Sequence, residues 1–260
     1  MRVQGQRGFV LVAPRTWRAS IGTVVGLGAL VAAIGGCGSA HRATTAVVSR
    51  ASASGPSIAL TATVTPNRAG TPGQPQPVSL ALAVRITGAH LTDPPPLRTV
   101  DVLIPVGILF QGAKFASCPA SVLTGQGPGG CPAGAVLGTG NASGDAGGIA
   151  ARAPIVIVNG GGDRVLLFVT LSNPLRLRAI VTGTVDALAG GGYRLRLVVP
   201  DELRVAAGIP VALREVDLAV GRRDWLATTA CPAGGRWDYE AQATFADGQR
   251  AANAAGVVCR

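Results

Sequence analysis

From Ser57 onward the chain is a succession of short runs in which apolar residues recur at every second position, each run ended by Gly, Pro, Asn or Asp. Side chains of a strand point alternately to its two faces, so this period specifies strands with one face packed and the other in water. The predicted strands are Ile58 to Thr65, Val78 to Thr87, Thr99 to Ile104, Ala135 to Asn141, Pro154 to Val158, Arg164 to Leu171, Leu175 to Val185, Tyr193 to Val199, Val211 to Val220 and Trp237 to Phe245. The alternation is clearest at Leu80, Leu82, Val84 and Ile86, and at Leu195 and Leu197 set against Arg194 and Arg196. Ile155 to Val158 and Val165 to Val169 are instead continuously apolar, which fits strands covered on both faces. Turn chemistry supports the divisions: Asn159 to Asp163 holds three glycines, Asn173-Pro174 separates two apolar runs, and Gly190-Gly191-Gly192 precedes Tyr193. Asp201 and Glu202 follow Pro200 and favour one short helix between Pro200 and Ala207, since carboxylates stabilise a helix N-terminus. About ten strands with little helix predict an all-β domain over residues 57–260, a two-sheet sandwich or jelly-roll-like arrangement. The alternative is two smaller sandwiches divided near Ala150. Cys-Pro-Ala-Gly occurs at both Cys131 and Cys231, but the residues after Gly134 are small while those after Gly234 are aromatic and charged, which does not support a duplication.

Ahead of this domain lies a different kind of segment. Arg2, Arg7, Arg15 and Arg18 precede an apolar stretch from Ile21 to Ile34 with no acidic residue, and Gly35-Gly36-Cys37 follows. Residues 1–36 therefore read as a signal peptide. The run Ile34-Gly35-Gly36-Cys37 resembles the lipobox of bacterial lipoproteins, with Cys37 as the acceptor. The resemblance implies that Cys37 is diacylated on sulfur, becomes the first residue of the mature chain, and holds the protein on the outer face of the cell membrane. Two acyl chains suffice for stable attachment, at about 0.8 kcal/mol per buried methylene. Gly38-Ser39-Ala40 also fits an ordinary signal-peptidase site, which would release a soluble secreted protein. An uncleaved anchor is the third reading, although Ile21 to Ile34 falls short of the roughly 20 residues that span a bilayer. Residues 37–56 are rich in Ala, Ser and Thr and read as a flexible tether, with an r.m.s. reach of about 24 Å; His41 is a solvated residue within it.

The chain has five cysteines, and setting Cys37 aside leaves an even number: Cys118, Cys131, Cys231 and Cys259. An even set in an exported chain predicts disulfides. Of the three pairings, the local one, Cys118 with Cys131 and Cys231 with Cys259, closes the shortest loops. On chain entropy these are worth about 3 and about 3.5 kcal/mol. There is no Cys-x-x-Cys, and His41 and His90 are the only histidines, so no metal site and no cofactor are expected.

Charge and motifs exclude more than they assign. Basic residues number 23 against 13 acidic ones, but four of the arginines belong to the signal and the rest are spread in ones and twos. Nucleic-acid readers concentrate their charge in a stripe, so no nucleic acid is expected. Arg176 and Arg178, and Arg194 and Arg196, have the spacing of one strand face; a solvated face is one reading and attraction to anionic headgroups or cell-wall polymers the other. Gly125, Gly127 and Gly130 match a dinucleotide-binding spacing, yet Cys131-Pro132 stands where the helix should begin. A hydrolase would have to be built on His90, near Asp93 and Pro94-Pro95-Pro96, with no nucleophile elbow in the chain. Trp225 and Trp237 are candidates for packing first and for a sugar-stacking surface second.

A second resemblance covers most of Phe115 to Arg260. Cys118-Pro119, the Gly-rich loop to Cys131-Pro132, Val136-Leu137-Gly138-Thr139-Gly140, Thr228-Thr229-Ala230-Cys231-Pro232, Trp237 and Ala243 to Gly248 running on to Cys259 are similar to secreted β-rich proteins of actinobacteria. That resemblance implies fold and compartment and no activity. The expected function is a non-enzymatic binding or structural role in the cell envelope, with membrane lipid as one partner and an envelope polymer or protein as another. The alternatives are a carrier of an apolar or lipid ligand in the domain core, and the His90-dependent hydrolase.

Overall fold

The computed structural model describes residues 55–89, 93–173, 175–221 and 224–260. Cys37, His41 and His90 lie outside the described residues. Fifteen strands follow in order: β1 Ser57–Thr65, β2 Gln76–Pro77, β3 Ser79–Thr87, β4 Leu97–Ile104, β5 Ile108–Phe110, β6 Val136–Ala146, β7 Ile149–Gly161, β8 Arg164–Leu171, β9 Leu177–Ala187, β10 Tyr193–Val198, β11 Val205–Ala206, β12 Ile209–Val220, β13 Leu226–Thr228, β14 Arg236–Phe245 and β15 Arg250–Val258. Two short helices interrupt them, α1 Ala120–Gln126 and α2 Asp201–Arg204. The expected all-β class is borne out, and so is the short helix after Pro200. All ten predicted strands form, and β7 runs through Ala150 and Ala151 in hairpin with β6, so no division falls near Ala150.

One antiparallel sheet takes in most of the chain, in the order β1-β3-β12-β6-β7-β8-β9-β10-β4-β14-β15, with β11 added beside β12. The sheet is rolled until its two edge strands meet. Leu60 N–H on β1 donates to the Asn253 side-chain oxygen on β15 at 3.0 Å. Beyond the strand ends, Arg260 N–H donates to the Asn67 carbonyl and Ala69 N–H to the Arg260 carbonyl, each at 2.9 Å. β6 and β12 approach each other closely at a set of glycines. There Gly138, Gly140 and Gly144 approach the β12 backbone so closely that a Cβ at Gly140 would stand 2.3 Å from the Asp217 carbonyl oxygen. Glycine within a strand marks such an approach because no side chain obstructs it. Register shifts in both strands, beside Val136 and beside Leu213, take up the curvature.

The two ends of the roll differ. At the end where β1 and β3 meet through Thr65 and Ser79, the small sheet β2-β13-β5 closes the interior. Phe110 packs edge-on against Trp225, ring centroids 4.7 Å apart, and against Tyr193 at 6.2 Å. Trp237 is fully buried there and donates its indole N–H to the Ala230 carbonyl at 3.2 Å. The Cys231–Cys259 disulfide fastens the end of β15 beside it. The other staple, Cys118–Cys131, closes the loop that carries α1 and places Leu123 and Ala135 over Val158, Leu166 and Phe168 on the outer face of the sheet. That cover is why residues 165–169 are all buried, as their unbroken apolar run predicts.

Candidate functional site

The half of the roll away from the aromatic end is not filled. A cavity of about 170 Å³ lies inside it, lined by Leu60, Leu82, Val84, Val100, Val102, Ile155, Leu167, Val169, Val181, Leu197, Val216 and Leu218 among others; Ser143, which borders it, opposes exposed Arg152 on the outward side of β6. Its origin can be followed to single positions. The inward side of β6 carries Ala142 and Gly144 at the cavity, and β7 opposes them in direct register with Ala153 and Ala151. Across the interior β14 presents Ala243. Leucine in place of Ala142, Ala151 or Ala153 would fill the space that alanine leaves. Leu82, Val84, Val216 and Leu218 accordingly point inward yet keep part of their surface uncovered. A cavity of this size and lining is on the scale of the apolar voids of about 150 Å³ that stay dry and take benzene.

Toward the end of the roll where the chain enters β1, the lining is Ile58, Ile86, Leu171, Val199, Leu203, Val211 and Leu213. Val199, Leu203, Val211 and Leu213 are only half-buried, so this is the open end. Among the described residues that line the cavity, none has a charged side chain and the aliphatic ones offer no hydrogen bond to a polar group. What the cavity can do chemically is remove a slender apolar group from water, at about 25 cal/mol for each Å² buried.

A second, shallower concavity of about 740 Å³ lies on the outer face of β10, β4, β14 and β15, where Arg98, Arg194, Arg196 and Arg250 surround Thr99, Asp101, Gln242 and Thr244. Arg194 and Arg196 share one face as their spacing predicts. Arg196 Nε donates to Asp101 at 2.8 Å, and that hydrogen bond with its charge holds the Arg196 pKa above the ordinary value.

The other residues singled out by sequence are accounted for. The four cysteines pair locally, as expected. Trp225 and Trp237 are buried at 4 % and 0 % exposure, so neither offers a stacking surface. Asp93 forms an ion pair with Arg214. The glycine cluster at Gly125, Gly127 and Gly130 lies in the disulfide loop around α1. No group of three or more metal-ligating side chains occurs among the described residues. None of their helices is long and apolar enough to cross a membrane. Sequence reading missed Asn159, which it placed in a turn. The residue is fully buried, its side-chain NH2 donating to the carbonyls of Gly112, Phe115 and Ala116 at 3.0, 3.3 and 3.1 Å and its oxygen accepting from Gly161 N–H. The signal for it was asparagine placed directly after a continuous apolar run. Compared with known proteins, the chain matches no family model, no curated protein and no solved structure at a significant level.

Proposed function

We propose that this protein is an extracytoplasmic lipoprotein, anchored through Cys37, that binds an apolar ligand non-covalently inside its β-roll. The observation that carries the reading is the cavity with an almost wholly aliphatic lining. Its smallness and its lack of internal polar groups suit one alkyl or acyl chain better than a fused ring system or a polar metabolite, because a buried polar group without a hydrogen bond costs about 1–3 kcal/mol. The Cys37 lipobox, the tether and the two disulfides support the envelope as the place where this binding happens.

Native mass spectrometry of the full-length gene product, recovered from its own host's membranes, tests both parts at once. The expected species begins at Cys37, carries a covalent diacylglyceryl group, and holds a further apolar molecule that is lost on collisional activation. A chain that begins at His41 without lipid would replace the anchor with soluble secretion. A chain that never carries a bound molecule, even after incubation with single-chain amphiphiles, would overturn the binding reading.

A further inference from the structure

The cavity's open end and the point where the chain joins the domain coincide. β1 begins at Ser57, opposite Thr87 on β3, and Gly55 lies beside Gln249 in the turn from β14 to β15. The half-buried Leu203, Val211 and Leu213 of the cavity stand at this same end. Around them the surface departs from what a solvated rim requires. Ile149 is 45 % exposed, Val205 46 % and Ile209 39 %. They project from two neighbouring turns, because Ala146 pairs with both Ile149 and Val211, and Val205 pairs with Pro210. Ile209 also reaches over Gly147 at the tip of the β6–β7 turn. Branched aliphatic side chains at consecutive turn tips are a poor choice for water and a good one for an interface with hydrocarbon.

The charges nearby are consistent with a lipid surface. Three carboxylates at this end are engaged, Asp93 with Arg214, Asp201 with Arg204, and Asp145 with Gly148 N–H at 2.7 Å, and exposed Glu202 is the one there without an ion-pair partner among the described residues. Arg152, Arg176 and Arg178 are exposed and have no ion-pair partner among the described residues. Arginines around an apolar tip suit phosphate groups above acyl chains.

We infer that the open end of the roll is a bilayer-docking surface, through which a lipid's acyl chain moves between the host membrane and the cavity without crossing water. The inference rests on the proposed anchored, apolar-ligand-binding function. β1 begins at the docking end, so a chain held at Cys37 and a rim set on the same leaflet are compatible. The headgroup remains at the rim with the arginines, which is what the apolar interior requires.

The test uses the full acylated chain reconstituted in vesicles of phosphatidylethanolamine and phosphatidylglycerol. With brominated acyl chains in the vesicles, the added tryptophan of Ile209→Trp is expected to lose at least half its emission, whereas that of Val106→Trp, at the closed end, keeps its own. For loading, lysophosphatidylglycerol with a diazirine near the acyl terminus is added to the same vesicles and crosslinking to cavity-lining peptides is followed over time. Ile149→Asp with Ile209→Asp should slow the appearance of those crosslinks at least tenfold in vesicles, and leave them unchanged when protein and lipid are mixed in detergent micelles. Equal quenching at both ends, or equal loading rates in vesicles, would overturn the docking surface while leaving the cavity reading intact. Absence of cavity crosslinks in micelles for the wild-type chain would instead bring down the binding reading itself.

Discussion

At the scale of single residues, two of the buried polar groups are treated in opposite ways. Asn159 satisfies its amide against three carbonyls and so fastens the loop before α1 to β7. The Tyr239 hydroxyl, on an inward position of β14 at 1 % exposure, finds no hydrogen-bond partner among the described residues. Neither fate was legible in the sequence, where Asn159 opens a glycine-rich turn and Tyr239 continues an alternation; the partners of both come from distant segments. Burial pushes the Tyr239 pKa up from its ordinary value near 10. The sign of the resulting pH dependence is fixed by that direction. Below pH about 10 the phenol is neutral folded or unfolded and its contribution is intact; above it the unfolded chain releases the proton first, so stability falls as pH rises. Tyr239→Phe should therefore flatten the loss of stability measured by urea unfolding between about pH 10 and 11. At pH 7 it should equal or exceed the wild type by up to about 1 kcal/mol, since an unpaired buried hydroxyl is removed. A loss of stability at pH 7 larger than that would mean the hydroxyl is used.

At the scale of elements, what the sequence makes plain is whatever repeats locally. The alternation in β3 and β10 and the unbroken apolar runs of β7 and β8 were enough to place those strands, and the short loops between neighbouring cysteines were enough to pair them. β15 escaped because its inward residues, Ala251, Asn253 and Ala255, are small or polar and carry little strand preference. They are small because β1 packs across them where the roll closes. α1 escaped because Gly125 and Gln126 sit among glycines, and the helix owes its place to the disulfide and to Leu123 over Phe168. Gly138 and Gly140 fell within a predicted strand, and their role there is to let the β12 backbone come close. Gly140→Ala tests that role: its Cβ would collide with the β12 backbone at Asp217, and relief requires unbending the sheet. Loss of about 1–3 kcal/mol in thermal or urea unfolding is expected. The same change at Gly129, where a Cβ would meet nothing within 4 Å, should stay within about 0.5 kcal/mol.

For the whole molecule, a core that is packed with aromatics at one end and left open among aliphatics at the other divides stability from binding. The small sheet, the disulfide at Cys259 and the Phe110, Trp225 and Trp237 packing hold the closed end whether or not a ligand is present. The open half gains its missing contacts only when a ligand supplies them. Stability should then follow ligand concentration by mass action: at a hundred times its Kd, a ligand that binds only the folded chain adds about 2.7 kcal/mol. For a chain of this size that corresponds to a rise in Tm of about 5–10 °C. Ala153→Leu, which fills the cavity from β7, separates this effect from general stabilisation. Stripped of lipid, the variant should melt at or above the temperature of stripped wild type, because the added methylenes occupy space that was empty. Lysophosphatidylglycerol should raise the Tm of wild type and leave that of Ala153→Leu unmoved. An equal rise in both would place the ligand outside the cavity, with the arginines of the outer face at Arg98, Arg194 and Arg250 as the next site to be tested by the same titration.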